Sequence, residues 1–497
     1  MAPLASTSAS AQVSVSLFAS DDVELATDFY MTTFEPQPVL LIRTRDGREL
    51  LASLAWSLVD RYDVKVVVQD IRGHGDSGGE DPLFATAVSD GMATLDWIDT
   101  LGWSNGIVGA YGRGLDGLEE LLLATSGTSD LSCLYLSHVS GDLPHAGIFE
   151  GGLRRTEFDV WATAQGAGWV LGEWDQHPSA TDPYWEPLRL SSEDAERATS
   201  PGLHVTGWYD VLLKGAIGTY QRLQTEGGVG AAGRQRLVIG PWNHRGATAA
   251  IAFPDAHNSE ALFEWDKAWA SDCLHADPEA FDALPAALVY LMGADEPDAP
   301  GNLWMTVDGW PPPSAAVSLY LRNKQRLTLE LPLPSELGQV YGYEPTDPPG
   351  TLGGRNLRLA SGPEDQSPIE ERDDVAVYTS EVLKDPVTIL GDVSARLWIL
   401  TDWDVTDVVV RLTDVYPDGR SMLVAQGVRR ISAMAEAQLV EVDLWSTGMV
   451  FNVGHQLRVS VAGAMNGAYE PAPERFSAFI LNSESQASSI ILPVVSG

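Results

Sequence analysis

The stretch that decides the fold is Ile107-Val108-Gly109-Ala110-Tyr111-Gly112-Arg113-Gly114-Leu115-Asp116-Gly117-Leu118. Its first residues are apolar or small and predict a buried strand, and the residues that follow Gly117 have helical spacing. A strand, a glycine-rich corner and a helix in this order form the frame of a nucleophile elbow, in which a strained turn lifts one side chain above a parallel sheet. The lifted residue is usually a serine, but the central position here is Gly114, which has no side chain.

Apolar runs and helical segments alternate on both sides of this stretch. Residues 39–42 and 65–68 form short continuous apolar runs, as in parallel strands that are buried on both faces. Helical spacing over residues 50–60 separates these runs, and the alternating pattern of residues 13–31 predicts a hairpin ahead of them. This order favours a doubly wound α/β sheet, which binds ligands at the carboxyl ends of its strands.

Two changes of pattern divide the chain into parts. Residues 141–199 hold many glycines, prolines and aromatic residues, and we interpret them as a lid inserted over the sheet; the alternative is an aromatic subdomain that packs on itself. From residue 278 onward, alternating strand-like runs are separated by turns, which predicts an all-β sandwich. We therefore predict an α/β core at 1–140 and 200–277, the lid at 141–199 and the sandwich at 278–497.

Composition excludes several classes of partner. The net charge of −38 repels phosphate backbones, so nucleic acid and anionic membranes are poor partners. No stretch approaches the roughly 18 uninterrupted apolar residues of a membrane span, and the start of the chain lacks the pattern of a signal peptide. Two cysteines are too few for a disulfide framework, and we interpret Cys133 as a thiol packed in the core. The expected location is cytoplasmic.

An acid and a histidine each follow a predicted strand, in that order along the chain. Asp210 ends the run Gly207-Trp208-Tyr209-Asp210, and His244 ends the run Gly240-Pro241-Trp242-Asn243-His244. A carboxylate that accepts a hydrogen bond from one imidazole nitrogen sets the tautomer, so the other nitrogen can act as a general base. We predict that these two residues form such a pair; the alternative is that both only stabilise loops.

Six motifs follow one another at spacings that resemble those of one known family. Besides the corner at 112–117 and the runs that end at Asp210 and His244, they are Asp70-Ile71-Arg72-Gly73, Glu371-Arg372-Asp373-Asp374-Val375 and Asp414-Val415-Tyr416-Pro417-Asp418-Gly419-Arg420. Together they closely resemble the bacterial cocaine esterase and X-Pro dipeptidyl-peptidase family of serine hydrolases. The resemblance covers nearly the whole chain and implies an α/β-hydrolase core, an inserted helical lid and a C-terminal jelly-roll domain. It also implies acyl transfer on esters or amides, with Asp210 and His244 as triad members.

Two positions depart from the family pattern. The family's Gly-x-Ser-x-x-Gly elbow matches residues 112–117, so Gly114 stands where the resemblance places the nucleophilic serine. The family also places a tyrosine hydroxyl in the oxyanion hole after the first core strand, and the matching position is Asp46. An aspartate would repel a developing oxyanion, and the loss of one oxyanion donor typically costs about a hundredfold in rate. We therefore do not expect ordinary serine-hydrolase turnover.

The preferred hypothesis is non-covalent acid–base chemistry on a small organic molecule, such as a biosynthetic intermediate. Proton transfer by a well-placed side chain accelerates a reaction about 10²- to 10⁴-fold, which suits a cyclisation, elimination or isomerisation. His244 and Asp210 would transfer the proton. Asp46 would be a second acid or base, or would anchor a cationic substrate.

Two other functions stay open. One is ester or amide hydrolysis by a displaced nucleophile, for which Asp116 and Ser77 are candidates, as is His138, whose alternative role is to line the pocket. The other is a non-catalytic small-molecule binder that uses the lid and the old pocket. We predict no metal and no cofactor: the corner superficially matches a dinucleotide fingerprint, but no acidic residue is placed for a ribose. The oligomeric state is open, with a homodimer as one option. The candidate pocket residues are Arg113, Leu115, Trp208, Tyr209, Trp242, His138, Trp169 and Trp174.

Overall fold

The computed structural model describes residues 10–248, 250–401 and 403–495. The outermost residues of the predicted domains, 1–9 and 496–497, lie outside these ranges. Alternation of apolar and helical segments produces the expected α/β order in the first 307 residues. The strands of this part are β1 Ala11–Phe18, β2 Glu24–Met31, β3 Gln37–Thr44, β4 Lys65–Asp70, β5 Ser104–Arg113, β6 Cys133–Ser137, β7 Phe149–Glu150, β8 Leu153–Arg154, β9 Gly202–Tyr209, β10 Gln235–Asn243, β11 Ala287–Leu291 and β12 Leu303–Val307.

Except for the small β7–β8 hairpin, these strands form one sheet in the order β1-β2-β4-β3-β5-β6-β9-β10-β11-β12 among the described residues. The strands from β4 to β11 in this order run parallel, and the predicted hairpin β1–β2 and the strand β12 are antiparallel edges. Every residue of β10 and of β4 is buried, as expected for parallel strands that are covered on both faces.

Helices cover both faces of this sheet. The helices α2, α3 and the segment 141–199 pack on one face, while α1 and α8 pack on the other. The helices are α1 Ala52–Tyr62, α2 Ala87–Asp99, α3 Gly114–Ala124, α4 Thr156–Ala164, α5 Val170–Gln176, α6 Ser192–Arg197, α7 Leu213–Glu226, α8 Glu260–His275, α9 Glu279–Asp282 and α10 Ser367–Glu370. Short 3-10 helices lie at Arg48–Leu51 and Pro183–Leu188, and a π-helical turn lies at Pro144–Ile148.

A second sheet contains the remaining strands and forms an all-β domain. Its long strand β17 alternates between buried and less buried positions over much of its length, because the side chains of one face are covered. The fold class predicted from the sequence is therefore confirmed. The strands are β13 Ala315–Arg322, β14 Arg326–Thr328, β15 Gln339–Tyr343, β16 Ala376–Thr379, β17 Val387–Leu400, β18 Thr406–Val415, β19 Ser421–Ile431, β20 Gln438–Phe451, β21 Gln456–Ala462, β22 Phe476–Ser483, β23 Gln486–Ala487 and β24 Ser489–Val494.

Two strands that follow the predicted domain boundary at residue 278 belong to the first sheet. Strands β11 and β12 pair with β10 and with each other in the first sheet, and the second sheet begins with β13 at Ala315. Short apolar runs at 287–291 and 303–307 match an α/β strand and a sandwich strand equally well, so the sequence pattern could not assign them. The main chain of Met292 also bonds to Gly448 and Val450 of β20, which ties the two sheets together.

The interpretation of Cys133 as a thiol needs correction. Cys133 of β6 and Cys273 of α8 form a disulfide in the structure, with their Cα atoms 5.3 Å apart and both side chains buried. The two residues are separated by 140 positions, so only the packing of α8 against the sheet reveals the pair. In the part of the chain that the structure describes, none of the helices combines the length and apolar character needed to cross a membrane.

Candidate active site

Glycines allow the tight corner between β5 and α3. A Cβ atom added to Gly112 would lie 2.4 Å from the Cα of Gly117, so the two ends of the corner can approach only without side chains. Between them, Gly114 begins α3 with a φ of +56°, in the left-handed region. This is the strained strand-to-helix turn that lifts its central residue above the sheet. The central residue here presents only its backbone.

Buried ion pairs join the end of β3 to α3, the helix that begins at the glycine corner. The guanidinium of Arg43 on β3 donates to both carboxylate oxygens of Glu120 on α3, at 3.2 Å from Nη2 to Oε2. Arg45 contacts Glu119 and Asp116 of α3. Because isolated buried charges are costly, these pairs hold the end of β3 and the start of α3 in one arrangement. The loop that carries Asp46 is thereby placed beside the corner.

Asp116 is occupied by these contacts. Its Oδ2 atom accepts hydrogen bonds from the Thr44 hydroxyl at 2.9 Å and from the Arg45 amide at 3.2 Å. Burial raises the pKa of Asp116, and the neighbouring Arg45 opposes that rise. A carboxylate engaged in this way ties the corner to β3 and is poorly placed to attack a substrate.

The predicted acid and histidine meet at the carboxyl ends of neighbouring strands. β9 ends at Tyr209 and β10 ends at Asn243, and these parallel strands place Asp210 and His244 side by side. The His244 Nδ1 atom lies 2.8 Å from Asp210 Oδ1. Asp210 also accepts from the Thr206 hydroxyl at 2.8 Å and from the Leu212 amide at 3.0 Å. The carboxylate is therefore fully buried and fully hydrogen-bonded.

The charge state of Asp210 sets the tautomer of His244. Burial alone would raise the pKa of Asp210, but the His138 and His244 rings and the hydrogen bonds from His244 and Leu212 lower it to about 2. A carboxylate only accepts hydrogen bonds, so His244 donates from Nδ1 and its Nε2 atom carries a lone pair. That lone pair is the group that can take a proton.

The free nitrogen of His244 faces the glycine of the corner. A Cβ atom built on Gly114 would lie 3.3 Å from His244 Nε2. The side chain of His244 is 18% exposed, whereas Asp210 is inaccessible. The pair therefore presents one basic atom to the space above Gly114.

That space is a cavity of about 460 Å³. The charged residues of its wall are Arg43, Asp46, Arg113, Asp116 and Arg245, and most of the other lining residues are apolar. Among the described residues that line it, there is no serine or cysteine, and the hydroxyls belong to Thr44 and Tyr111. The lining residues are Ile42, Arg43, Thr44, Asp46, Leu51, Leu54, Tyr111, Arg113, Gly114, Leu115, Asp116, Phe158, Trp161, Gln165, Val211, Leu212, His244, Arg245 and Leu357.

Two distant segments complete the wall. Phe158, Trp161 and Gln165 come from α4 and the residue that follows it, and Leu357 comes from the loop before α10. The Glu157 carboxylate, at the start of α4, accepts from the amides of residues 357–359, at 2.8 Å for Leu357. The lid and the C-terminal part are thus joined directly above the cavity.

Five of the predicted pocket residues lie elsewhere and need correction. The Trp208 indole donates to the carbonyl of residue 290 on β11, and the Tyr209 phenol donates to that of residue 423 in the all-β domain. Trp242 lines a different cavity beside α8 and stacks on a histidine ring at 5.6 Å. Trp174 is buried inside the lid, and Trp169 is 55% exposed without lining the cavity. Aromatic composition does not reveal which face a side chain occupies.

Of the other candidates, Arg113 and Leu115 line the cavity, and Arg113 Nη2 donates to the carbonyl of His244 at 3.0 Å. His138 is buried against the ring of His244 rather than in the cavity wall. Ser77 lies away from the site, because its hydroxyl donates to the Asp70 carbonyl in a turn. Asp46 is exposed at the cavity.

Several cavity residues were not predicted from the sequence. Arg245 directly follows His244, so its position was a usable signal. Phe158 and Trp161 are three residues apart, which places them on one face of α4. The sequence around Leu357 gives no sign of a role in the cavity, because this residue reaches the site only through the contact with Glu157.

Two family models cover most of the chain. The model described as X-Pro dipeptidyl-peptidase (S15 family) matches residues 21–171 and 159–246. The model described as X-Pro dipeptidyl-peptidase C-terminal non-catalytic domain matches residues 279–486.

Individual relatives agree with these matches. A cocaine esterase of Rhodococcus sp. (strain MB1 Bresler) is 29% identical, with 90% of each chain covered. A putative serine esterase of Mycobacterium bovis is 24% identical, over 96% of this chain and 94% of the relative. The crystal structure of an aminopeptidase from a marine sediment archaeon, Thaumarchaeota archaeon, superposes with a TM-score of 0.83 at 20% identity, over 100% of this chain and 98% of the other, so the whole fold is shared.

Proposed function

We propose a function for this chain, which belongs to the X-Pro dipeptidyl-peptidase (S15) family of α/β-hydrolase enzymes. It catalyses non-covalent acid–base chemistry with the His244–Asp210 pair. The reaction would be a cyclisation, elimination or isomerisation of a small organic molecule, such as a biosynthetic intermediate. In this proposal Gly114 takes the place of the family's nucleophile, and the triad is reduced to its acid and its histidine.

One observation supports the proposal most directly. The Nε2 atom of His244 lies 3.3 Å from the position of a Cβ on Gly114, and no serine or cysteine occurs among the described residues of the cavity wall. The histidine therefore has a carboxylate behind it and open space in front of it. A substrate in that space would meet the base directly instead of a nucleophile.

The proton transfer follows from this arrangement. Nε2 removes a proton from an acidic C–H, N–H or O–H group of the substrate, and the imidazolium that forms is stabilised by Asp210. The same nitrogen returns the proton to another atom of the substrate or to a leaving group, so no covalent bond to the enzyme forms. Fixed hydrogen bonds from Thr206 and Leu212 keep the Asp210 carboxylate in place during the exchange.

The cavity indicates the class of substrate. Its volume of about 460 Å³ suits a small organic molecule with a largely apolar body. Asp46 at one side and Arg113 and Arg245 near His244 would bind polar or ionised groups of that molecule. In this role Asp46 anchors a cationic group or serves as the second acid or base.

A second candidate is hydrolysis without a covalent intermediate. Two of the named relatives are described as an esterase and a putative esterase, and the space above Gly114 would let His244 activate a water molecule in place of a serine. The water would attack an ester or amide carbonyl, its proton would pass to Nε2, and the leaving group would take that proton. This reaction also depends on His244, but it consumes activated esters.

The test introduces the missing nucleophile. Wild type and Gly114→Ser are treated with a serine-reactive fluorophosphonate probe and with simple activated esters, beside Gly114→Ala as the control that adds a Cβ without a nucleophile. We expect labelling of Gly114→Ser alone, and we expect His244→Ala or Asp210→Asn in that background to abolish it.

The other outcomes separate the alternatives. Labelling of wild type would show that a displaced nucleophile exists and would overturn the proposal. Ester turnover by wild type without labelling, lost in His244→Ala, would favour the hydrolytic candidate. If Gly114→Ser stays unlabelled, the pair or the oxyanion hole is also dismantled, and the non-catalytic binder is favoured over the proposal.

A further inference from the structure

A second histidine lies beside the catalytic pair in an unusual backbone conformation. His138 follows β6, and its amide donates to the Val205 carbonyl of β9 at 2.7 Å. Its φ is +59°, in the left-handed region that few residues other than glycine adopt, although histidine is found there more often than most. Such strain persists only where the surroundings enforce it, and it is concentrated at functional sites.

The contacts of the ring are specific. His138 Nδ1 lies 2.8 Å from the Ser137 hydroxyl, and the ring meets that of His244 edge to face, with centroids 5.6 Å apart and planes at 84°. The residue is only 3% exposed, and its Nε2 has no hydrogen-bond partner among the described residues. The His138 side chain is therefore fixed by the hydrogen bond at Nδ1 and by the contact of its ring with the ring of His244.

The protonation state of His138 suits a residue that packs against His244 without exchanging protons. Burial lowers the pKa of this imidazole to about 4, against the opposing effect of Asp210. The other charged or titratable groups near it are His244 and Arg113, which lower the pKa further. A neutral ring does not compete with His244 for the negative charge of Asp210.

We propose that His138 is a positioning residue that fixes the orientation of the His244 imidazole for proton transfer. The inference rests on the proposed function, because it assigns His244 the role of base. The hydrogen bond from Nδ1 to Asp210 fixes one atom of the ring, but the imidazole can still pivot about that bond. The His138 ring, packed perpendicular to it, removes this freedom and keeps Nε2 aimed at the space above Gly114.

The test removes the ring and keeps the backbone. Asparagine tolerates the left-handed conformation, so His138→Asn deletes the aromatic contact with little added strain. His138→Phe retains a ring of similar shape without nitrogen atoms. The matched control is His204→Asn, because His204 is another buried histidine of the same sheet, on β9, whose ring contacts Tyr220 and Gln235.

The first readout is the labelling rate with fluorophosphonate in the Gly114→Ser background. We expect His138→Asn to slow labelling by about tenfold or more, since a small misplacement of a reacting group can cost up to about a hundredfold. His138→Phe and His204→Asn should label at the rate of the parent. Equal rates for His138→Asn and the parent would overturn the inference.

The second readout uses the native chain, so it does not depend on Gly114→Ser. In protein with ¹⁵N-labelled histidine, the Nδ1 proton of His244 should give a slowly exchanging signal in wild type and in His138→Phe. This signal should broaden or exchange faster in His138→Asn but not in His204→Asn. An unchanged His244 signal in His138→Asn would refute the positioning role. A changed signal in a chain whose Gly114→Ser form cannot be labelled would support positioning while the proposed function fails.

Discussion

Two of the histidine–aspartate pairs, one in each part of the molecule, join a fully buried aspartate to a histidine with nearly the same first contact. In the α/β part, His244 Nδ1 lies 2.8 Å from Asp210, and in the all-β domain His455 Nδ1 lies 2.9 Å from Asp414. The second ring nitrogens differ. His244 Nε2 faces the cavity above Gly114, whereas His455 Nε2 lies 3.3 Å from a carboxylate oxygen of Glu296.

This difference separates a histidine with one nitrogen open to a cavity from a histidine that links two carboxylates. Both nitrogens of His455 face carboxylates, and its side chain is inaccessible, so the two negative groups favour the protonated form of the ring. His244 has one carboxylate and an 18% exposed side chain, so one nitrogen stays available for a proton. The geometry of a histidine–aspartate pair therefore does not identify an active site; the environment of the remaining nitrogen does.

The largest expected difference concerns reactivity. In the Gly114→Ser background, His244→Ala should lower the rate of fluorophosphonate labelling by about a thousandfold, within the range typical of a lost general base. His455→Ala should leave that rate unchanged in protein that remains folded, because His455 does not reach the cavity. Labelling rates measured by fluorescence on gels check both. A comparable loss in both variants would mean that the two pairs do not differ as described.

For stability, the order of the two effects should reverse, and His455→Ala should cost more than His244→Ala. His455→Ala leaves the fully buried Asp414 without its charged partner and should lower the free energy of unfolding by about 3 to 5 kcal/mol. After His244→Ala, Asp210 keeps its hydrogen bonds from Thr206 and Leu212, so the loss should be about 1 kcal/mol. Urea unfolding followed by tryptophan fluorescence measures both. The idea of a structural link fails if the two losses are equal.

The pH dependence of stability should sharpen the distinction. Burial lowers the pKa of His455, but the hydrogen bond and charge of Asp414, together with Glu296, raise it above its usual value. A raised pKa in the folded state adds stability that is complete below about pH 6.5 and is lost as the pH rises through the folded pKa, by at most about 1.4 kcal/mol per pH unit.

We therefore expect the difference in unfolding free energy between wild type and His455→Ala to shrink from pH 6 toward alkaline values. Urea midpoints across that range test it, and the difference cancels the contributions of other histidines. A difference that grows with pH would contradict the assigned sign.

The smallest effect should come from the outer carboxylate of the link. The Glu296 side chain is 32% exposed, so Glu296→Gln should cost only about 0.5 kcal/mol. Asp414→Asn, in the buried position, is the matched variant and should cost several times more. If urea unfolding gives equal costs, His455 depends on both carboxylates to the same extent.

Local signals were sufficient for the fold of the first part. The glycine corner at 112–117, the apolar runs of β3 and β4 and the hairpin β1–β2 each carry their own period or turn chemistry, and all occur as predicted. The strand ends that bear Asp210 and His244 were visible for the same reason. The domain boundary was less accessible, because β11 and β12 have no feature that assigns them to one sheet rather than the other.

The cavity wall was only partly predictable. Asp46, Arg113 and Leu115 are near the corner or the first strand and could be placed from the motif. The prediction that Trp208 lines the cavity was wrong, because the sequence of a strand does not show which part of the protein packs on each of its faces. Leu357 could not be found at all, since it depends on a contact with Glu157 across 200 residues.

The sequence alone determined the order of most strands and helices, the glycine corner, the aspartate and the histidine at neighbouring strand ends, and the strongly acidic composition. These properties depend on residue types and on their spacing over a few neighbouring positions, so they can be inferred from short stretches of sequence. Only the tertiary structure decided which aromatic residues line the cavity, that Cys133 pairs with Cys273, that His138 packs against His244, and that His455 is enclosed between carboxylates while His244 is not. Each of these depends on groups brought together from distant parts of the chain, where packing rather than local sequence selects the neighbours.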